Sequence, residues 1–181
     1  MAGAFDQLNE RMLIARCQAG DHVAFEEIVA RYQPRLTFYV RKLVRNSGTV
    51  DDLLQDIWLD VFRSFGKLAD PAAFPAWIYR IARDRAYRQF RRPREPTAID
   101  VEQLATPTEE ESFSPEEIED VYECMDALTD EHREVLVLRF LEDMSYDDIA
   151  AVTSCNVGTV RSRLHYAKAA LRAAINRRHL R

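Results

Sequence analysis

The sequence predicts an all-α protein of two small helical domains joined by a flexible acidic linker, with a helix-turn-helix in the C-terminal domain. Three observations predict it. Apolar residues recur at helical spacing through almost all of the 181 residues, and alternating strand-like runs are absent. Between Pro93 and Ser114 the stretch PREPTAIDVEQLATPTEEESFS has three prolines and no apolar stripe, the profile of a linker. Near the C-terminus two short apolar patterns are separated by the tetrapeptide TSCN, the spacing of a helix-turn-helix. The expected domains are 1–92 and 116–181, with 93–115 between them.

The elements follow in order. Gly20 and Asp21 give a stop and a helix cap, after which Phe25, Ile28, Val29 and Tyr32 fall at i, i+3, i+4 and i+7. Pro34 interrupts or kinks the run, and Leu36, Tyr39, Val40, Leu43 and Val44 continue a buried stripe. Asn46 to Gly48 make a turn. Thr49 with Asp52 is capping-box-like and opens a long helix. Leu54, Ile57, Trp58, Val61, Phe62 and Phe65 line one of its faces, while Asp51, Asp52, Gln55, Asp56 and Asp60 leave much of the other acidic. Gly66 ends it. Asp70 and Pro71 start another helix with a cap and a first-turn proline, in which Phe74, Trp77, Ile78, Ile81 and Ala82 point inward. Its outer surface carries Arg80, Arg83, Arg85, Arg88, Arg91 and Arg92 against a lone Asp84. Trp58 and Trp77 are expected to be mainly core, and Tyr79, Tyr87 and Phe90 to be the better base-stacking candidates.

After the linker, Ser114, Pro115 and Glu117 restart a helix whose stripe is Ile118, Val121, Tyr122, Met125 and Leu128. Thr129 caps the next helix, with Val135, Leu136, Leu138, Phe140 and Leu141 as its apolar residues. Ser145 with Asp148 forms another capping box, followed by Ile149, Ala150 and Val152. Beyond TSCN, the residues Val157, Val160, Leu164, Ala167 and Leu171 form the stripe of a basic helix. At about 100° per residue its far face carries Gly158, Ser162, His165, Tyr166 and Ala169, flanked by Arg161 and Arg172. Arg161, Ser162 and His165 offer hydrogen bonds to base edges; Arg161, Arg163, Lys168, Arg177, Arg178 and Arg181 suit phosphates.

The formal charge of −5 would argue against nucleic acid if read as a total. Divided by segment, 1–92 carries 15 basic and 11 acidic side chains (+4), 93–115 carries 1 and 6 (−5), 116–144 carries 2 and 11 (−9), and 145–181 carries 7 and 2 (+5). Both ends are basic, which attracts polyanions, and the acidic middle repels them.

Other classes lose support. Cys17, Cys124 and Cys155 form no C-x-x-C pair and are expected to be buried small hydrophobes, with no metal site or disulfide. Five glycines without a G-x-G-x-x-G or Walker pattern leave nothing to cradle a phosphate cofactor, so no cofactor is expected. No paired carboxylates or activated nucleophile can be assembled, so an enzyme is not expected. No run approaches the roughly 18 apolar residues of a membrane span, and no signal-like N-terminus is present, so a cytoplasmic protein without direct membrane insertion is expected.

The residues resemble the bacterial RNA polymerase sigma factors of the extracytoplasmic-function (group IV) class. AFEEIVARYQPRL, DDLLQDIWLDVFRSF and AFPAWIYRIARDRA carry the resemblance between Gly20 and Arg92; EHREVLVLRFLEDMSYDDIA and VGTVRSRLHYAKAALR carry it from about Leu128 to Leu171. The resemblance implies a subunit that lends promoter specificity to core RNA polymerase. It implies core docking through Asp51, Leu54, Gln55, Asp56 and Trp58. Minus-10 DNA would be read and opened by the loop from Ser64 to Pro71 and the helix after it, with Lys67, Leu68, Arg80, Arg83, Arg85, Tyr87, Arg88 and Arg91. Minus-35 duplex would be read by Thr159, Arg161, Ser162, Arg163, His165, Tyr166 and Lys168. Promoter DNA, core RNA polymerase and an anti-sigma factor are the implied partners.

Three departures from the family pattern stand out. Ser154 replaces a usual glycine, which predicts a slightly strained turn; Tyr166 stands where Arg is frequent; and Leu68, Ala69 and Asp70 replace a commoner Phe-Arg-Gly. The alternative is a stand-alone helix-turn-helix regulator with an N-terminal sensing or dimerisation module. A regulator acting alone needs neither a docking helix nor a melting element.

Overall fold

The structure, a computed structural model, describes residues 2–44, 47–89 and 124–179. The expected linker, the helix start at Ser114, and Phe90, Arg91, Arg92 and Arg181 lie outside the described residues. Among those described every regular element is helical, and the chain divides into two compact units, Met1–Arg91 and Arg92–Arg181.

The first unit contains α1 (Ala2–Gln18), α2 (His22–Leu43), α3 (Val50–Ser64) and α4 (Phe74–Gln89), with 3-10 turns at Ser47–Thr49, Phe65–Lys67 and Pro71–Ala73. Helix α1 is an addition to the sequence reading; Leu13 and Ile14 are its buried anchors. It stops in a Schellman motif: Gly20 N donates to Cys17 O at 3.0 Å, and Asp21 N to Arg16 O at 3.0 Å. Gly20 has φ +88, a conformation that glycine adopts without a Cβ penalty. Asp21 then caps α2, its Oδ1 accepting from Val23 N at 3.0 Å and Ala24 N at 3.1 Å. These amide bonds, led by Ala24, and the Arg16 guanidinium hold the Asp21 carboxyl below its usual range.

Pro34 does not interrupt α2. A proline inside a helix costs about 3 kcal/mol, but Ile28, Tyr32, Leu36, Tyr39 and Val40 on both sides of it are essentially inaccessible. Burial at about 1.5–3 kcal/mol per large apolar side chain outweighs the local penalty. Helix α2 packs against α1, α3 and α4. Tyr32 meets Phe74 edge-on at 5.2 Å between centroids, Tyr39 meets Tyr79 at 5.0 Å, and Phe65 stacks on Phe74 at 5.4 Å. The Thr49 capping box is not formed: the Thr49 side chain makes no capping hydrogen bond, because a 3-10 turn leads straight into α3 and leaves Thr49 at φ −115, ψ 2.

The second unit contains α5 (Asp130–Leu136), α6 (Tyr146–Thr153) and α7 (Val157–His179). Thr129 caps α5, accepting from His132 N at 3.3 Å. Arg133 is buried, donating from Nε to Met125 O and from Nη2 to Leu128 O, each at 2.9 Å, which ties the preceding 3-10 turn to the helix. Helix α5 widens into a π-helical turn over Val137–Leu141, closed by Glu142 N donating to Val137 O at 3.2 Å. Ser145 and Asp148 form the expected capping box of α6. Ser154 ends α6 at φ 54, ψ 44, the left-handed conformation the sequence reading anticipated there. A non-glycine residue costs about 1–2 kcal/mol in that region. Helix α7 packs on both α5 and α6, burying Val160, Leu164, Ala167, Leu171 and Ile175.

Candidate functional site

Three surfaces emerge, two on the first unit and one on the second. Helices α2 and α3 enclose an open groove of about 770 Å³ lined by Phe25, Val29, Gln33, Asp51, Leu54, Gln55, Trp58, Leu59 and Phe62. Four of the five residues singled out for docking, Asp51, Leu54, Gln55 and Trp58, therefore share one concavity. Asp56 is half-buried and does not line it.

The groove is more apolar than the sequence reading anticipated. Phe62, expected in the core, is 50% exposed, and Leu59 is 48% exposed. The signal was present in α3, whose apolar residues span a wider arc than one buried face needs. Phe25 packs edge-on against Phe62 at 5.2 Å and against Trp58 at 6.0 Å. The Trp58 indole N–H donates to Gln33 Oε1, so the ring's polar edge is satisfied and its tilt in the groove is set from α2. Gln33 was not singled out by sequence; nothing in its spacing marks it.

The second surface is the loop after α3 together with α4. Lys67, Arg80 and Arg88 are exposed there. Four expectations are corrected. Leu68 is only 6% exposed and anchors the loop from within, since the chain turns back onto α1 after Phe65. Arg83 is 5% exposed, its guanidinium 4.5 Å from the Tyr87 ring centroid, because this part of α4 is covered on more than the apolar stripe. Arg85 is half-buried and paired with Asp60 of α3. Tyr79, a stacking candidate, is wholly buried against Tyr39. Tyr87 is half-buried beneath Arg83. Trp77 is half-buried, contacting Phe65 and Phe74.

The third surface is the helix-turn-helix. Asn156 caps α7, its Oδ1 accepting from Thr159 N at 2.7 Å and Thr159 Oγ1 at 3.0 Å. This cap went unremarked in the sequence, and it engages the candidate Thr159. Arg161 and His165 are exposed on the outer face, as expected. Ser162 is half-buried, its hydroxyl donating to Gly158 O at 3.1 Å. Tyr166 is not on the far face: it is half-buried and stacks on His132 of α5 at 6.5 Å. Arg163 reaches back toward Cys155 Sγ at 3.9 Å, and Lys168 lies over the Phe140 ring at 5.3 Å. Tyr166 is drawn in because α7 contacts α5 as well as α6 and its buried arc extends past the stripe.

The cysteines also differ from expectation. Cys124 is buried, whereas Cys17 and Cys155 are partly exposed, and burial pushes the Cys17 thiol up to about 11. Among the described residues no group of three or more His, Cys, Asp or Glu could hold a metal ion, and no helix is long and apolar enough to cross a membrane.

Both units have counterparts among known proteins. Residues 28–95 match the family model for sigma-70 region 2, and residues 118–171 match that for sigma-70 region 4. The chain is 32% identical over 180 residues to the ECF RNA polymerase sigma-E factor of Escherichia coli K12, covering 92% of this chain and 94% of that protein. It is also 32% identical over 185 residues to the RNA polymerase sigma-H factor of Pseudomonas aeruginosa, covering 93% and 95%. The fold is similar to CnrH, solved in complex with the cytosolic domain of CnrY, with a TM-score of 0.67, 27% identity and coverage of 92% and 97%. The sigma factor RpoE of Bartonella quintana, solved with the anti-sigma factor NepR, shares the fold at a TM-score of 0.65, 23% identity and coverage of 84% and 96%.

A region 2 followed by a region 4 defines the sigma-70 class of RNA polymerase subunits. With these relatives matched over nearly their full length, the chain belongs to the extracytoplasmic-function (ECF) sigma factors. It directs promoter-specific transcription initiation, and the stand-alone regulator is not favoured, because the likeness spans both units.

Proposed function

We propose that the α2–α3 groove docks core RNA polymerase, that the loop from Ser64 to Pro71 with α4 reads and opens the minus-10 element, and that α7 reads the minus-35 element as duplex. In this reading 1–92 is the docking and melting domain, 116–181 the minus-35 domain, and 93–115 an acidic connector. The observation that carries it is the groove: Asp51, Leu54, Gln55 and Trp58 converge there with the exposed Leu59 and Phe62. Apolar side chains gathered in a concavity with a polar rim mark a protein-binding site. Acidic Asp51 in its lining favours a partner with basic flanks.

Melting needs a held single strand, and Lys67 on the loop with Arg80 and Arg88 along α4 supply phosphate neutralisation. Arg161 and His165 supply base-edge donors for the duplex. The protein works by binding rather than catalysis and acts in the cytoplasm, where core polymerase is found. An anti-sigma factor would inhibit it by covering the same surfaces; CnrH, for comparison, was solved bound to CnrY.

Co-purification with core polymerase tests the docking assignment. Gln55→Arg combined with Leu59→Arg leaves the thermal melt unchanged and weakens core binding by roughly tenfold or more, as expected for about 1.4 kcal/mol at a docking surface. Wild-type retention of core by this variant would reject the groove as the docking site.

A further inference from the structure

The loop from Ser64 to Pro71 is held from several sides. Phe65 is buried between Phe74, Phe25 and Trp77, Leu68 is buried behind it, and Asp70 caps the following turn by accepting from Ala72 N at 2.9 Å. What remains exposed is Gly66, Lys67, Ala69 and Asp70. The backbone is gripped from a third direction. The last residue of α1, Gln18, donates from Nε2 to Leu68 O at 2.6 Å and to Phe65 O at 3.5 Å. One side chain thus bridges the first and last carbonyls of the turn, across about fifty residues of sequence.

We infer that Gln18 is a positioning residue for base selection, fixing the backbone of the loop on which an unstacked base of single-stranded DNA is received. The inference rests on the minus-10 assignment above. Helix α1 packs against both 3-10 turns that bracket the loop, so α1 acts as its back wall. A pocket that discriminates bases must hold its polar groups within a fraction of an ångström before the base arrives. Van der Waals anchoring by Phe65 and Leu68 fixes where the loop sits, but rotation of the peptide planes between them is left to hydrogen bonds. Gln18 supplies two of these. Gly66 has no neighbour within 4 Å of where a Cβ would stand, so crowding does not hold this stretch in place.

The test uses holoenzyme assembled from core polymerase and the full chain. A single-stranded DNA pool, randomised over a short window, is retained on the holoenzyme and sequenced. Wild type enriches one base at a defined position. Gln18→Leu, which removes the donor, and Gln18→Glu, which aims a carboxylate at two carbonyls, each reduce that enrichment roughly fivefold, the effect of about one net hydrogen bond. Core affinity stays at its wild-type value. Gln18→Lys, which restores a donor, recovers the preference. Wild-type enrichment by the Leu and Glu variants would overturn the role of Gln18 while leaving the minus-10 assignment intact. A wild-type holoenzyme with no base preference at all would overturn both.

Discussion

Arg85 Nε lies 3.0 Å from the carboxylate of Asp60, joining α4 to α3. A cation that composition assigns to a DNA-facing surface is thereby held against its own domain. Asp60→Asn should release it. The holoenzyme's affinity for single-stranded DNA then rises, and its dependence on log salt steepens by about 0.7 per added phosphate contact. Fluorescence anisotropy at several salt concentrations reads the slope; an unchanged slope would mean that Arg85 does not reach DNA. Because the pair is partly solvated, domain stability changes by no more than about 1 kcal/mol.

On α7, Arg161 and Arg178 are both exposed but should fail differently when removed. Arg161→Ala weakens specific minus-35 duplex by ~1–3 kcal/mol and random duplex much less, as expected of a base-edge contact. Arg178→Ala lowers both together and flattens the salt dependence. Competition binding against random duplex separates the two, and equal losses for Arg161→Ala would remove it from base readout.

The cap of α7 can be tested from two neighbouring positions. Asn156→Ala loses the acceptor for Thr159 N and should cost the C-terminal domain about 1 kcal/mol. A Cβ at position 158 would stand 3.2 Å from Asn156 Oδ1, so Gly158→Ala must push the capping side chain by a few tenths of an ångström. Its cost should be smaller than that of Asn156→Ala and should vanish in the Asn156→Ala background. Chemical denaturation of the four proteins in the cycle measures this coupling, and simple additivity would show that Gly158 does not act through the cap.

Burial lowers the His132 pKa, with Glu131 opposing and Arg163 reinforcing the shift. The folded state therefore binds the proton less readily than the unfolded chain. The stability His132 contributes is complete above its ordinary value of about 6.5 and is lost as pH falls below that value toward the folded pKa. His132→Phe keeps a ring for Tyr166 to stack on and should remove this acid-side loss. Melting temperatures between pH 5 and 8 check it; identical pH profiles for the two proteins would contradict the assignment.

The helices were legible wherever a periodic stripe coincided with a chemical boundary. Asp21, Thr129 and the Ser145–Asp148 box were readable because each cap is made within three residues of chain. At Pro34 an interruption was left open because local penalty was weighed without the burial of Tyr32, Leu36 and Tyr39 around it. Resemblance named Asp51, Leu54, Gln55 and Trp58 as docking candidates, and the groove they share became visible only when α2 brought Phe25, Val29 and Gln33 opposite them. Arginine count overstated the DNA-facing surface of α4, since Arg83 and Arg85 are committed to Tyr87 and Asp60. Gln18 and Gln33 could not be read at all. Each acts through long-range hydrogen bonds from one side chain, which leave no periodic trace.

Run-off transcription with purified core polymerase, on a template library varied over the minus-10 and minus-35 regions, tests the central claim most directly. The account predicts core-dependent transcripts only from templates carrying a particular pair of elements, lost with the Gln55→Arg and Leu59→Arg double variant and shifted at the minus-35 element by Arg161→Ala. Transcripts independent of template sequence, or none with any template, would contradict it.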